Sequence, residues 1–108
     1  MDWPLRRVEV VGPSMVPALR HGDRLLVWLR RPKHPPRPGT VVIVELPDRP
    51  LAVKRLAAVD ADGSIRVEGD NPYGSTDSRS LGSLPAAALR GAVIARMWPR
   101  PGPVRRRA

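Results

Sequence analysis

The chain contains no cysteine and no phenylalanine. Without cysteine there is no disulfide framework, no thiolate metal site and no thiol nucleophile. Two histidines, His21 and His34, leave little from which to build a histidine metal centre, so no metal or cofactor is expected. The aromatic residues amount to three Trp and one Tyr, so a core has to be assembled from Val, Leu, Ile, Ala and Met. No run approaches the roughly 20 apolar residues of a spanning helix; the longest, 25–29 and 41–44, have the length of strands. Residues 1–8 carry Arg6 and Arg7 with no apolar region after them, unlike a secretory signal. The expectation is a cytoplasmic protein without anchor or export signal.

What the chain has in abundance is proline and positive charge. Fourteen prolines and nine glycines in 108 residues cut it into short pieces and argue against long helices. Between the cuts lie β-branched runs at 8–11, 24–29, 40–46, 51–59, 65–68 and 92–97, each bounded by turn residues. Asp62-Gly63 reads as the turn of a hairpin, and 85–89 as one helical turn led by proline. The pattern predicts a mainly β, single compact domain over residues 1–98, with 99–108 as a basic, Pro/Arg-rich disordered tail. The net charge is +9, and of 19 basic residues only Lys33 and Lys54 are lysine. The excess collects in the 30–38 loop and the tail, as solvated loops do. It leaves room for membrane contact through charge. A nucleic-acid-binding β-domain is the reading from another class, disfavoured because stacking on bases needs exposed aromatics.

Two loops exceed what turns require. In the first, Gly12-Pro13 forces a corner just after a strand and Pro17 stops any helix, so Ser14 presents its hydroxyl outward with its own N–H beside it. That combination suits a nucleophile with one oxyanion donor, although turn serines are commonly just that. In the strand 51–59, Lys54 shares a face with Ala52, Leu56 and Ala58. Burial among such neighbours disfavours the ammonium form and makes a lysine fit to take a proton from a serine. The competing reading is a lysine that snorkels to solvent or pairs with Glu45. In the second loop, 69–79, Ser75 can hydrogen-bond a neutral lysine, Asp77 and Arg79 can brace the loop as an ion pair, and Asp70 and Asn71 suit side-chain-to-backbone turn bonds. His21 reads as a solvated turn residue.

These residues together resemble the signal peptidase I family of Ser-Lys peptidases. The blocks are Gly-Pro-Ser-Met-Val-Pro-Ala-Leu at 12–19, Gly-Asp-Arg-Leu-Leu-Val at 22–27, Val-Lys-Arg at 53–55 and Gly-Asp-Asn-Pro-Tyr-Gly-Ser-Thr-Asp-Ser-Arg at 69–79. The resemblance implies Ser14 as nucleophile, Lys54 as base and Ser75 as the group that orients the lysine. It implies structural support from Asp77, Arg79 and Asp70, and a pocket for small substrate side chains at Met15, Leu19 and Val53. It implies the signal peptidase/LexA-like fold of coiled antiparallel sheets, and a polypeptide substrate bound as an added β-strand along 10–12 and 52–53. Three features depart from the family pattern: no N-terminal membrane helix, Gly12 where some members carry a second serine, and no Pro-Gly-Asp after Lys54-Arg55. The pattern is closest to the short nickel-type superoxide dismutase maturation proteases, which implies removal of an N-terminal propeptide. A general signal-peptidase-like enzyme at the membrane is the alternative. A self-cleaving LexA-type protein would need a DNA-binding region for which there is no room.

Overall fold

The computed structural model describes residues 3–47, 49–73 and 77–106. Among these residues six strands form one antiparallel sheet in the order β1-β2-β6-β3-β4-β5. The strands are β1 (Leu5–Glu9), β2 (Arg24–Trp28), β3 (Val41–Leu46), β4 (Arg49–Val59), β5 (Ile65–Glu68) and β6 (Leu89–Trp98). The mainly β, single-domain expectation holds.

Alternation explains how so small a sheet makes a core. In β2, Leu25 and Val27 point inward while Arg24 and Trp28 face water. Central β3 is buried on both faces and feeds two clusters. Val42, Val44 and Leu46 join Leu56, Ile65, Val67, Leu84, Ala88 and Leu89. Val41 and Ile43 join Val10, Met15, Leu19, Leu25 and Val27. Neither cluster holds an aromatic residue, as the composition requires. Long β6 bridges the halves, pairing with β2 through 92–98 and with β3 through 89–92, with register shifts along both ladders. These shifts bend the strand and increase local twist.

Gly91 lies where β6 runs closest to the chain leaving β2. A Cβ there would strike the Trp28 carbonyl oxygen and crowd Leu29 Cα. Both are backbone atoms, so relief requires the strands to move. Gly91→Ala is therefore expected to destabilise by about 1–3 kcal/mol, read as a lower denaturant midpoint at unchanged slope.

Several elements differ from the sequence reading. β1 is centred on residues 5–9 rather than 8–11, although its ladder continues as Val10 N–H donates to Asp23 O and Gly22 N–H to Val10 O, both 2.8 Å. Arg6 and Arg7 disguised the strand because both are exposed. β6 begins at Leu89 rather than at 92, and the proline-led turn is a 3-10 turn, Ala86–Ala88. A four-residue helix, α1 (Ser78–Leu81), was not anticipated; Asp77 caps it by accepting from the Arg79 N–H.

The disordered tail is also corrected. Residues 99–106 fold back on the domain: Arg96 and Gly102 exchange backbone hydrogen bonds of 2.9 and 3.0 Å, and Val104 packs against the second cluster. The Arg105 carbonyl accepts from Arg55 Nη1 at 2.8 Å. An apolar side chain and a carbonyl needed by a buried guanidinium hold the segment, and its prolines lower the entropy lost in ordering it.

Candidate active site

The turn carrying Ser14 follows from its sequence. Gly12 adopts φ +84°, a region side chains disfavour, and so breaks the β1 ladder. The chain then closes a single turn, with Val16 N–H on Pro13 O at 3.1 Å and Leu19 N–H on Met15 O at 2.9 Å. The 69–79 segment grips it from the other side. Asn71 donates its N–H to Ser14 O at 2.9 Å and its side-chain amide to Pro13 O at 3.3 Å.

Lys54 sits in β4 opposite Val42, with a relative exposure of 2%, and is the largest fully buried side chain among the described residues. The carboxylate that the competing reading offered it, Glu45, instead meets Arg90 at 3.1 Å on the exposed surface. Ser14 and Lys54 line one cleft of about 130 Å³. Val8, Val10, Val11 and Met15 line it along the β1 side, and Leu51, Ala52 and Val53 along β4, together with Ile43 and Glu9. Both sides offer backbone. β1 is an edge strand, paired with β2 alone. β5 pairs with β4 only along 55–59, so among the described residues no strand covers that side of residues 51–54.

Of the expected pocket residues, Met15 and Val53 line the cleft. Leu19 does not: it is wholly buried in the second cluster, turned inward by the Met15–Leu19 turn. Ser75 lies outside the described residues.

Asp77 and Arg79 form the expected brace, and the brace is more extensive than an i, i+2 pair. Arg79 Nη2 contacts Asp77 Oδ2 at 2.7 Å and donates to Gly69 O at 2.7 Å. Asp77 also accepts the Gly69 N–H at 2.7 Å and the Arg79 N–H at 3.0 Å. The carboxylate is 1% exposed, and its hydrogen bonds raise the pKa of Arg79 above the ordinary guanidinium value. One buried side chain thus ties the two ends of the 69–79 loop together.

Asp70 reaches across to β4. It is held by Arg55 in a bidentate pair, Nε to Oδ1 at 3.0 Å and Nη2 to Oδ2 at 2.6 Å. The fork of a guanidinium matches a carboxylate in this geometry. Arg55 also donates to Gly39 O at 2.9 Å and to Arg105 O. Sequence reading gave Arg55 no role. The available signal was an arginine inside a strand of apolar residues, which needs a carboxylate if it is buried.

A family profile described as Peptidase S24-like matches residues 5–82, a span that encloses both loops. Mitochondrial inner membrane protease subunit 1 of Xenopus tropicalis is 34% identical over 110 residues, covering 82% of this chain and 66% of that protein. Mitochondrial ATP-independent inner membrane protease subunit 1a of Arabidopsis thaliana is 31% identical over 116 residues, covering 84% and 69%. Subunit 1b of the same plant is 29% identical, covering 82% and 67%. The chain spans about two thirds of the length of these curated relatives.

Proposed function

Because the chain belongs to the peptidase S24-like family, we propose that it is a serine endopeptidase of the Ser-Lys type that processes the N-terminal region of a polypeptide. The observation that carries this is a lysine of 2% exposure lining the same cleft as a serine on a glycine-made corner. Burial favours the neutral amine. Lys54 Nζ then takes the Ser14 proton as Oγ attacks the scissile carbonyl, and the Ser14 N–H supports the oxyanion. Lys54 returns the proton to the leaving amine, and water hydrolyses the acyl-enzyme by the same relay in reverse. Ser75 orients the lysine in this scheme, and the Asp77–Arg79 and Arg55–Asp70 pairs hold the loop that carries it. The substrate lies as an extra strand between the open edges of β1 and residues 51–54, with small side chains in the cleft beside Met15 and Val53.

The blocks around Ser14, Lys54 and 69–79 favour a nickel superoxide dismutase precursor as substrate. Incubating purified protein with such a precursor and reading the product N-terminus by mass spectrometry tests both levels. Loss of the propeptide with wild type and none with Ser14→Ala is the expected outcome. Equal cleavage by Ser14→Ala would sink the nucleophile. An untouched precursor, beside cleavage of a quenched peptide with small residues before the scissile bond, would remove only the named substrate.

One observation favours the second reading, a signal-peptidase-like enzyme held at a membrane. No helix of the described residues is long and apolar enough to cross one. Trp3, Trp28 and Trp98 are nonetheless all exposed, Trp3 packs edge-on to Trp28, and Arg30 and Arg24 lie over Trp28 and Trp98. Tryptophan with arginine suits a lipid interface. Co-sedimentation with anionic but not neutral vesicles, weakened by substituting Trp28 and Trp98, supports this reading; no co-sedimentation with either removes it.

A further inference from the structure

We propose that His21 is a positioning residue for the Ser14 corner, and that protonation of its ring releases that corner. The inference rests on the reading of Ser14 as nucleophile. His21 Nδ1 accepts the Gly12 N–H at 2.9 Å. Gly12 stands two residues before Ser14, at φ +84°, between two stretches of fixed backbone. On one side Val10 is held by Asp23 and Gly22; on the other, Pro13 and Ser14 are held by Val16 and Asn71. A glycine at this corner has no side chain of its own to anchor it, and a Cβ built there would meet nothing within 4 Å. The imidazole therefore supplies the grip that packing does not.

That grip depends on protonation. Nδ1 can accept only when the ring is neutral with its proton on Nε2; the imidazolium is a donor at both nitrogens. On protonation the 2.9 Å contact becomes donor against donor, and the Gly12 amide must turn away. The ring is exposed, so a proton reaches it without any opening of the fold. The charged groups on the surrounding elements are Arg20 and Asp23 on its own turn, Glu9 and Arg24 opposite one another on β1 and β2, and Arg96 on β6, with Lys54 in the cleft that Ser14 lines. Asp23 is engaged by the Arg20 N–H at 2.9 Å and by Arg96 at 3.7 Å. Activity would then fall on acidification for two separate reasons, a charged Lys54 and a loosened Gly12.

Two measurements on the full chain test this. In a uniformly 15N-labelled sample, a trans-hydrogen-bond 15N–15N coupling should join Gly12 N to His21 Nδ1 at neutral pH and vanish on acidification. In cleavage of a quenched peptide with small residues before the scissile bond, His21→Ala should lower kcat about ten-fold, the scale of a slight misplacement of a reacting group, with KM little changed. His21→Asn keeps an acceptor near the Nδ1 position that does not titrate. It should recover most of kcat and have a shallower acid limb than wild type. Absence of the coupling at neutral pH, or a His21→Ala enzyme with wild-type kcat and acid limb, overturns the inference. A Ser14→Ala control separates the two levels: if it still cleaves, the nucleophile is wrong; if it is inert while His21→Ala is normal, only the role of His21 falls. Should His21→Ala fail to fold, the coupling and the His21→Asn profile still decide.

Discussion

Lys54→Met will remove peptide-bond cleavage by about 10³-fold or more while leaving the chain folded. The size of the loss follows from what a positioned proton acceptor contributes to such a step. Among the described residues lining the cleft, Lys54 shares the space with apolar side chains, Ser14 and Glu9, and His21 spends its Nδ1 on Gly12. Survival of the fold follows from burial. At 2% exposure the side chain is surrounded by protein, and a methionine of similar length fills that volume without a buried charge. The pH profile completes the prediction. Only the neutral amine accepts a proton, so wild-type activity must rise with pH and then level off. The residual activity of Lys54→Met should lack that rise. A variant with wild-type kcat would end the Ser-Lys mechanism.

Arg55→Ala is expected to cost the fold about 3–5 kcal/mol, because it strips the bidentate partner from a carboxylate in the interior. Arg55 and Asp70 side chains are 8% and 1% exposed, so water cannot readily replace the lost contacts. The same guanidinium also serves the Gly39 and Arg105 carbonyls, tying β4, the 69–79 loop and the returning C-terminal segment to one point. A Tm lower by on the order of 15 °C is the thermal equivalent for a domain of this size. Arg55→Lys should recover little, since an ammonium has no planar fork. The double variant Arg55→Met/Asp70→Leu should recover much of the loss, because it leaves no charge buried alone. If the double variant is as unstable as Arg55→Ala, the pair is not the source of the effect.

What could be read in the sequence was local. β5 is predicted at its observed limits because Asp62-Gly63 makes the turn before it, with Gly63 at φ +89°, and the turn-bounded run at 24–29 matches β2 but for its last residue. The Ser14 corner was visible because Gly12-Pro13 allows few alternatives. Features created by distant partners were hidden. α1 has four residues and no apolar period; it exists because Asp77 caps it and Ser78 Oγ accepts the Val67 N–H. The pairing of Asp70 depends on an arginine fifteen positions earlier. Leu19 matches a pocket position in the family pattern yet lies in the core, because family likeness indicates sequence position, not the inward turn of a side chain. His21 is exposed, as expected, but nothing in its neighbours announces its contact with the Gly12 amide.

The outward placement of the aromatic residues has a practical consequence. Trp3, Trp28 and Trp98 are 65%, 37% and 52% exposed, and Tyr73 is 98% exposed. Unfolding therefore moves no fully buried indole into water. Intrinsic emission of the native chain should already resemble that of indole in water, and will report the state of the outer skin rather than the integrity of the core. Loss of the aliphatic interior of this domain has to be followed through its backbone, by far-UV dichroism or amide exchange.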